Sequence, residues 1–175
     1  MFDSEIVILL QNIFTASEVG EWISIALARV WIFLFLPILA WMWAYGSTHE
    51  RHSVKEALWS ASIGILSSEI ISIITLRERP FLALNEVIAL VPTPLTTAFP
   101  STHTTAAVAI TAALYFINKT AGRICLLITI GVIIGRISAG VHYPTDILGG
   151  IALGLLSFAL VRLGHKALRN PIKTD

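Results

Sequence analysis

The stretch EWISIALARVWIFLFLPILAWMWAY, residues 21–45, decides the fold. Its 25 residues carry charge only at Glu21 and Arg29, and a helix needs only ~20 predominantly apolar residues to cross a hydrocarbon core of ~30 Å. Trp22 near one end, and Trp41 and Trp43 near the other, suit the aromatic belts of the two membrane interfaces. Four further apolar segments follow, at residues 57–76, 103–118, 123–139 and 146–163. The third and fourth of the five are short, so polar residues of a functional site are expected to complete them. Composition points the same way, with 55% hydrophobic residues, 13% charged residues and a mean hydropathy of +0.79. A chain so poor in charge cannot cover a soluble globule. The predicted fold class is all-α: an integral membrane helical bundle of about five transmembrane helices plus an N-terminal interfacial helix.

That first helix is read at residues 5–14, where Ile6, Leu9, Leu10, Ile13 and Phe14 recur at helical spacing on a stretch too short to span. A cleaved signal peptide is the rival reading, but Asp3 and Glu5 stand where such a segment carries positive charge. No linker, repeat or low-complexity run interrupts the spans, so residues 1–175 are expected to form a single membrane-embedded domain. The one long connection, residues 77–100, holds Pro80, Pro92, Pro94 and Pro100 with Thr93, Thr96 and Thr97. It is expected to form a partly ordered lid, because loops of this length in compact proteins are commonly functional.

Charge sets the expected orientation. If the five spans alternate, Arg51, Lys55, Lys119, Arg123, Arg162, Lys166, Arg169 and Lys173 flank one face, which is 8 of the 12 Lys and Arg. Basic residues mark the cytoplasmic side. The other four, Arg29, Arg77, Arg79 and Arg136, lie inside the first span or beside polar motifs. The motif-bearing ends and the N-terminal segment then face the extracytoplasmic side of the cytoplasmic membrane, with the C-terminal tail inside. A net charge of +1 leaves no footprint for nucleic acid, so membrane lipids are the expected partners. The single Cys125 excludes an intramolecular disulfide.

Three polar clusters stand at edges of the apolar segments: Arg79-Pro80, then Pro100-Ser101-Thr102-His103, then Arg136, His142 and Asp146. Two arginines, two histidines, a serine and an aspartate at one membrane face are the inventory of a phosphate-ester hydrolase, since an oxyanion needs fixed positive charge and donors. Histidine can both attack phosphorus and supply a proton near neutral pH. Ser101 suits the N-cap of a helix whose first-turn N–H groups would face a phosphate, although an ordinary cap would look the same in isolation. Pro144 suits the first turn of the last helix, with His142 just before it and Asp146 inside that turn. An aspartate so placed can accept from the His142 ring and free its other nitrogen, or can simply complement the helix dipole. Arg136 requires an anionic partner, either Asp146 or a substrate. Arg77 and Arg79 head the long connection; one of them can bind phosphate while the other faces the interface. Glu69, flanked by Ser67, Ser68 and Ser72, is either functional or paired with Arg29. A metal held by His103 and His142 finds no Cys or second carboxylate at ligand spacing.

At these residues the chain resembles the type 2 phosphatidic acid phosphatase superfamily, whose signature is Lys-x6-Arg-Pro, then Pro-Ser-Gly-His, then Ser-Arg-x5-His-x3-Asp. Within it, Arg79-Pro80-Phe81, Ala98-Phe99-Pro100-Ser101 running into His103-Thr104-Thr105, and His142-Tyr143-Pro144 with Asp146 are most similar to the bacitracin-resistance type undecaprenyl-diphosphatases. The closer likeness covers residues 79–149. It implies a metal-independent hydrolase without cofactor, acting on undecaprenyl diphosphate through a phosphohistidine. His142 would be the nucleophile, Asp146 its orienter and His103 the acid, while Arg79, Ser101, Thr102 and Arg136 would hold the phosphoryl group. The signature lysine falls at Ser72, so one phosphate contact is missing or supplied by Arg77. Thr102 stands for the signature glycine and Gly135 for the first serine. Phosphatidylglycerophosphate, phosphatidic acid or a lipid A phosphate are alternative substrates, and a non-catalytic lipid-binding relative is the alternative class.

Overall fold

The computed structural model describes residues 2–93 and 97–169, so Pro94, Thr96 and Lys173 lie outside the described residues, as does the side chain of Arg169. The chain forms α1 (Phe2–Thr15), α2 (Glu18–Ile25), a π turn (Ala26–Val30), a 3-10 turn (Trp31–Leu34), α3 (Phe35–Tyr45), α4 (Thr48–Thr75), α5 (Pro80–Ala83), α6 (Thr102–Ile117), α7 (Lys119–Ser138) and α8 (Pro144–Arg169). No strand occurs among the described residues. The bundle is all-helical and membrane-embedded.

Four stretches are long and apolar enough to cross a bilayer: Glu18–Tyr45, Thr48–Ala83, Lys119–Ser138 and Pro144–Ala167. The fifth crossing element, α6, is only 16 residues. At ~1.5 Å per residue it measures roughly 24 Å, short of the ~30 Å core. It tolerates this because α4, α7 and α8 surround it, and nearly every residue from Thr104 to Leu114 is buried. The alanines Ala106, Ala107, Ala109 and Ala113 let those neighbours approach closely, which is how helices associate where lipid tails remove the hydrophobic drive. Around the outside, Trp22, Phe33, Trp41, Ile73, Leu127 and Leu160 are exposed, as lipid-facing positions should be.

Three boundaries differ from expectation. First, α7 is not short: Asn118 caps it from the N-terminal side, its Oδ1 accepting from the N–H groups of Thr120 (3.1 Å) and Ala121 (3.0 Å), so the helix starts at Lys119 and runs 20 residues. Second, α4 begins at Thr48, well before residue 57, because Ser47 and Glu50 form a reciprocal capping box. Third, the first span is interrupted by the π and 3-10 turns just ahead of Pro37, a residue that cannot donate to the preceding turn.

The ends of the bundle are fixed by polar ties. Asn118 Nδ2 donates to Glu50 Oε1 (2.7 Å), and Arg162 pairs with Glu56 (3.3 Å), bringing the start of α4, the α6–α7 hairpin and the end of α8 to one face. At the other face, Ser68 Oγ donates to the Pro100 carbonyl (3.3 Å), and Gln11 of α1 donates to the carbonyls of Ile88 (2.8 Å) and Ser138 (3.3 Å). The described part of the 77–100 connection is pinned rather than open. Phe81 N–H donates to the Gly140 carbonyl, Leu90 N–H to Ala139, and Ala98 N–H to Arg77, while α5 starts at Pro80.

Candidate active site

His142 sits between α7 and α8, where Gly140 (φ +72) turns the chain and Pro144 opens α8. It is buried, 3% exposed. Its Nδ1 lies 2.8 Å from the Ala98 carbonyl, which can only accept, so Nδ1 carries the proton and Nε2 keeps its lone pair. That nitrogen accepts a long hydrogen bond from Arg79 Nη1 (3.4 Å). Burial pushes the His142 imidazole down to about 4; Asp146 opposes the shift, and the Arg136 and Arg79 guanidiniums add to it. The ring is therefore neutral and nucleophilic at physiological pH.

Asp146 does not provide the primary acceptor for this ring. Its carboxylate stands 3.6 Å from His142 Nδ1, beyond a good hydrogen bond, because its oxygens are engaged elsewhere. Oδ2 accepts from the Tyr143 N–H (2.8 Å) and Oδ1 from Arg77 Nη1 (2.6 Å). Arg77 is thus drawn away from the phosphate role. Its other amino group meets Asp3 of α1 at 2.6 Å, and its plane lies 4.4 Å from the centre of the Tyr143 ring.

The remaining expected residues converge. Arg79 Nη1 donates to the Val141 carbonyl (3.0 Å), and Arg136 Nη1 to the Ala28 carbonyl in the π turn (3.2 Å). Both arginines are buried, at 7% and 6% exposure. Among the described residues Arg136 forms no ion pair, and its Nε has no hydrogen-bond partner. The pairing with Asp146 is not made, which leaves Arg136 a buried cation with no anionic partner among the described residues. His103 lies within electrostatic reach of Arg136, His142 and Arg79. Ser101 occupies the N-cap position of α6, but its side chain caps no backbone N–H; its Oγ instead accepts from Thr104 (3.1 Å). The first-turn N–H groups of α6 are consequently left without a side-chain cap.

Thr102 points elsewhere: its hydroxyl lies 3.0 Å from Ser68 Oγ and donates to Glu69 Oε1 (3.2 Å). No ion pair joins Glu69 to Arg29 among the described residues. Ser72, at the signature lysine position, bonds Thr97, whose hydroxyl also donates to the Ser72 carbonyl (2.6 Å). The sequence reading missed the Ala98 carbonyl, which no side-chain motif can reveal, and Asp3, whose acidic character it weighed only against a signal peptide.

A neutral imidazole with one committed nitrogen, two buried guanidiniums beside it and an uncapped helix start, all inside a membrane bundle, define a membrane phosphoester hydrolase. The PAP2 superfamily model matches residues 57–169, and the chain belongs to that superfamily of membrane lipid phosphatases. The undecaprenyl-diphosphatase BcrC of Bacillus subtilis is 32% identical over 142 residues, which span 80% of this chain and 72% of that one. A crystal structure of LpxE from Aquifex aeolicus aligns with a TM-score of 0.79 over 93% of this chain and 96% of that one, at 21% identity. The phosphatidylglycerolphosphate phosphatase of Bacillus subtilis, a transmembrane PAP2 protein, aligns over 99% and 100% with a TM-score of 0.59 and 25% identity.

Proposed function

We propose that this lipid phosphatase hydrolyses undecaprenyl diphosphate to the monophosphate on the extracytoplasmic face of the cytoplasmic membrane. One observation carries the substrate assignment, the 32% identity to BcrC over 80% of the chain. The diphosphate would enter with its terminal phosphorus facing Nε2 of His142 and its oxygens on Arg79, Arg136 and the first turn of α6 at Ser101. Nε2 attacks that phosphorus, and the bond to the bridging oxygen breaks. His103 protonates the leaving monophosphate. Water then attacks the phosphohistidine, returning a proton to His103 and releasing inorganic phosphate. Positive charge in the transition state comes from guanidiniums and N–H groups, so the step requires no metal ion. Arg77, held by two carboxylates, and Thr102, bonded to Glu69, act behind this first layer.

The likeness to a phosphatidylglycerolphosphate phosphatase favours a second reading, in which the headgroup is that of a glycerophospholipid. Phosphate release from a panel of purified lipid phosphates separates the two. Undecaprenyl diphosphate should give the highest kcat/KM, with activity retained in EDTA. Preference for phosphatidylglycerophosphate would reject the first substrate, and loss of activity in EDTA with recovery on adding a divalent ion would reject the metal-free step.

A further inference from the structure

The N-terminal helix reaches into the catalytic centre. Asp3 makes three polar contacts: Oδ2 accepts from Arg77 Nη2 (2.6 Å) and Thr145 Oγ1 (2.5 Å), Oδ1 accepts from the Thr145 N–H (3.1 Å), and the first of these is also an ion pair. Arg77 then bridges to Asp146 Oδ1 (2.6 Å) and also donates to Thr145 Oγ1 (2.6 Å). Asp146 is fully buried and is the carboxylate nearest His142 Nδ1. The superfamily match starts at residue 57, so α1 lies ahead of the matched domain. Neither Asp3 nor Arg77 belongs to the signature motifs.

We propose that Asp3 is a positioning residue of the catalytic centre, holding Arg77 across the start of α8 so that Asp146 keeps its place beside His142. A guanidinium between two carboxylates has both faces of its fork occupied, whereas with one carboxylate it can rotate and pull that carboxylate with it. Burial works against the charged Asp3, but hydrogen bonds from Thr145 and Arg77 outweigh it and hold its pKa below the usual carboxylate value. The latch is closed across the neutral pH range. It rests on the reading of His142 as nucleophile, so its test must separate the two.

Single-turnover formation of phosphoenzyme makes that separation, using the full chain in detergent or nanodiscs with Asp3→Asn, Asp3→Ala and Asp3→Glu. The rate of phosphoenzyme formation should fall about 10-fold to 100-fold in Asp3→Asn and Asp3→Ala, the scale of losing an orienting partner. The amplitude per folded protein and KM should hold, and Asp3→Glu should recover most of the rate. A purely structural role would lower the amplitude and melting temperature instead, and would overturn the proposal, as would an unchanged rate in Asp3→Asn. If the parent protein forms no phosphoenzyme, the phosphohistidine reading fails; steady-state kcat lowered in Asp3→Asn at unchanged melting temperature would still support the latch.

A separate observation lies at the opposite end of the bundle. A cavity of about 450 Å³ opens between the first turns of α4 and the last turns of α8, lined by His49, His52, Glu56, Arg162, His165 and Lys166 among others. Glu56 is engaged by Arg162 (3.3 Å) and His165 (3.3 Å), and Arg162 lies 4.0 Å from the centre of the Phe116 ring. His49, His52 and Lys166 form no ion pair among the described residues. Exposed Trp59 and Leu163 lie on the same two helices, and exposed Phe116 lies on α6, whose Ile117 also lines the cavity. The geometry points to a site for a phosphate headgroup, its tails on the apolar flank, as basic pockets between membrane helices bind acidic lipids. Melting of the parent protein should rise with phosphatidylglycerol and not with phosphatidylcholine, and the rise should vanish in a His52→Ala, Lys166→Ala double variant. A rise with inorganic phosphate alone that also vanishes in that variant identifies the free anion as the ligand. No rise in the parent, or a rise that survives in the variant, overturns the site.

Discussion

With His142 as the proposed nucleophile, its environment fixes how the enzyme should respond to acid. A pKa lowered from 6.5 to about 4 keeps the imidazole neutral, with its lone pair available, until the pH falls to that lower value. The acid limb of kcat/KM, which reports the free enzyme, should therefore bend near pH 4 and not near 6.5. The same shift has a thermodynamic sign. Between these values the unfolded chain binds a proton that the folded chain refuses, so the melting temperature should fall as the pH drops from about 6.5 towards 4. His142→Ala should cost on the order of 10³-fold or more in turnover and should also remove this part of the pH dependence of melting. His103→Ala should spare a substrate with a good leaving group, such as an aryl phosphate, far more than a lipid diphosphate. A leaving group that needs little protonation loses little when the acid is gone, so equal losses on both would remove His103 from that role.

Between α7 and the π turn of the first span, a single glycine decides the packing. A Cβ at Gly135 would lie 2.4 Å from the backbone of Leu27 and Ala28, a separation that no side-chain rotation relieves. This explains why glycine replaces the signature serine here: the π turn presses against α7, and its Ala28 carbonyl receives Arg136. Gly135→Ser, although it restores the signature, should destabilise the protein by about 1–3 kcal/mol and weaken substrate binding, because the turn must back away from Arg136. Thermal melting together with KM checks this, and an unchanged pair of values would contradict it. The five apolar segments were legible in the sequence because lipid imposes length and hydropathy directly. The capping box at Ser47 and Glu50 and the Asn118 cap were also written there, but a hydropathy reading passes over polar residues at span edges. The π turn was not read: Pro37 marks a break in the span, but the close approach of Leu27 and Ala28 to Gly135 is made only in the fold. In the site, residue types and spacing announced His142, Arg79 and Arg136, whereas the Ala98 carbonyl and the Asp3 latch depend on segments 44 and 74 positions apart, which only the fold brings together.

Across the whole molecule Arg51, Lys55, Lys119, Arg162 and Lys166 flank one end, and the candidate site with its own Arg77, Arg79 and Arg136 lies at the other. Glu86→Cys, in an exposed part of the 77–93 stretch, should react with an impermeant thiol reagent added to cells with a permeable outer barrier, while Lys119→Cys should not. The native Cys125 is buried and should stay silent. The reverse pattern would place the site in the cytoplasm and exclude recycling of an externally released carrier diphosphate.

The brevity of α6 also bears on how the chain is made. A 16-residue segment whose first turn is Thr102, His103, Thr104 and Thr105 offers the translocon an apolar stretch shorter than the ~20 residues that a span needs. A single residue, Asn118, joins it to the longer α7, and Thr111 and Thr129 hydrogen-bond across the pair at 2.8 Å. The two helices should therefore enter the bilayer together as one hairpin, with α7 drawing α6 in. A reporter fused after Asn118 should show α6 failing to integrate from the truncated chain, and one fused after Ser138 should show the complete hairpin inserted.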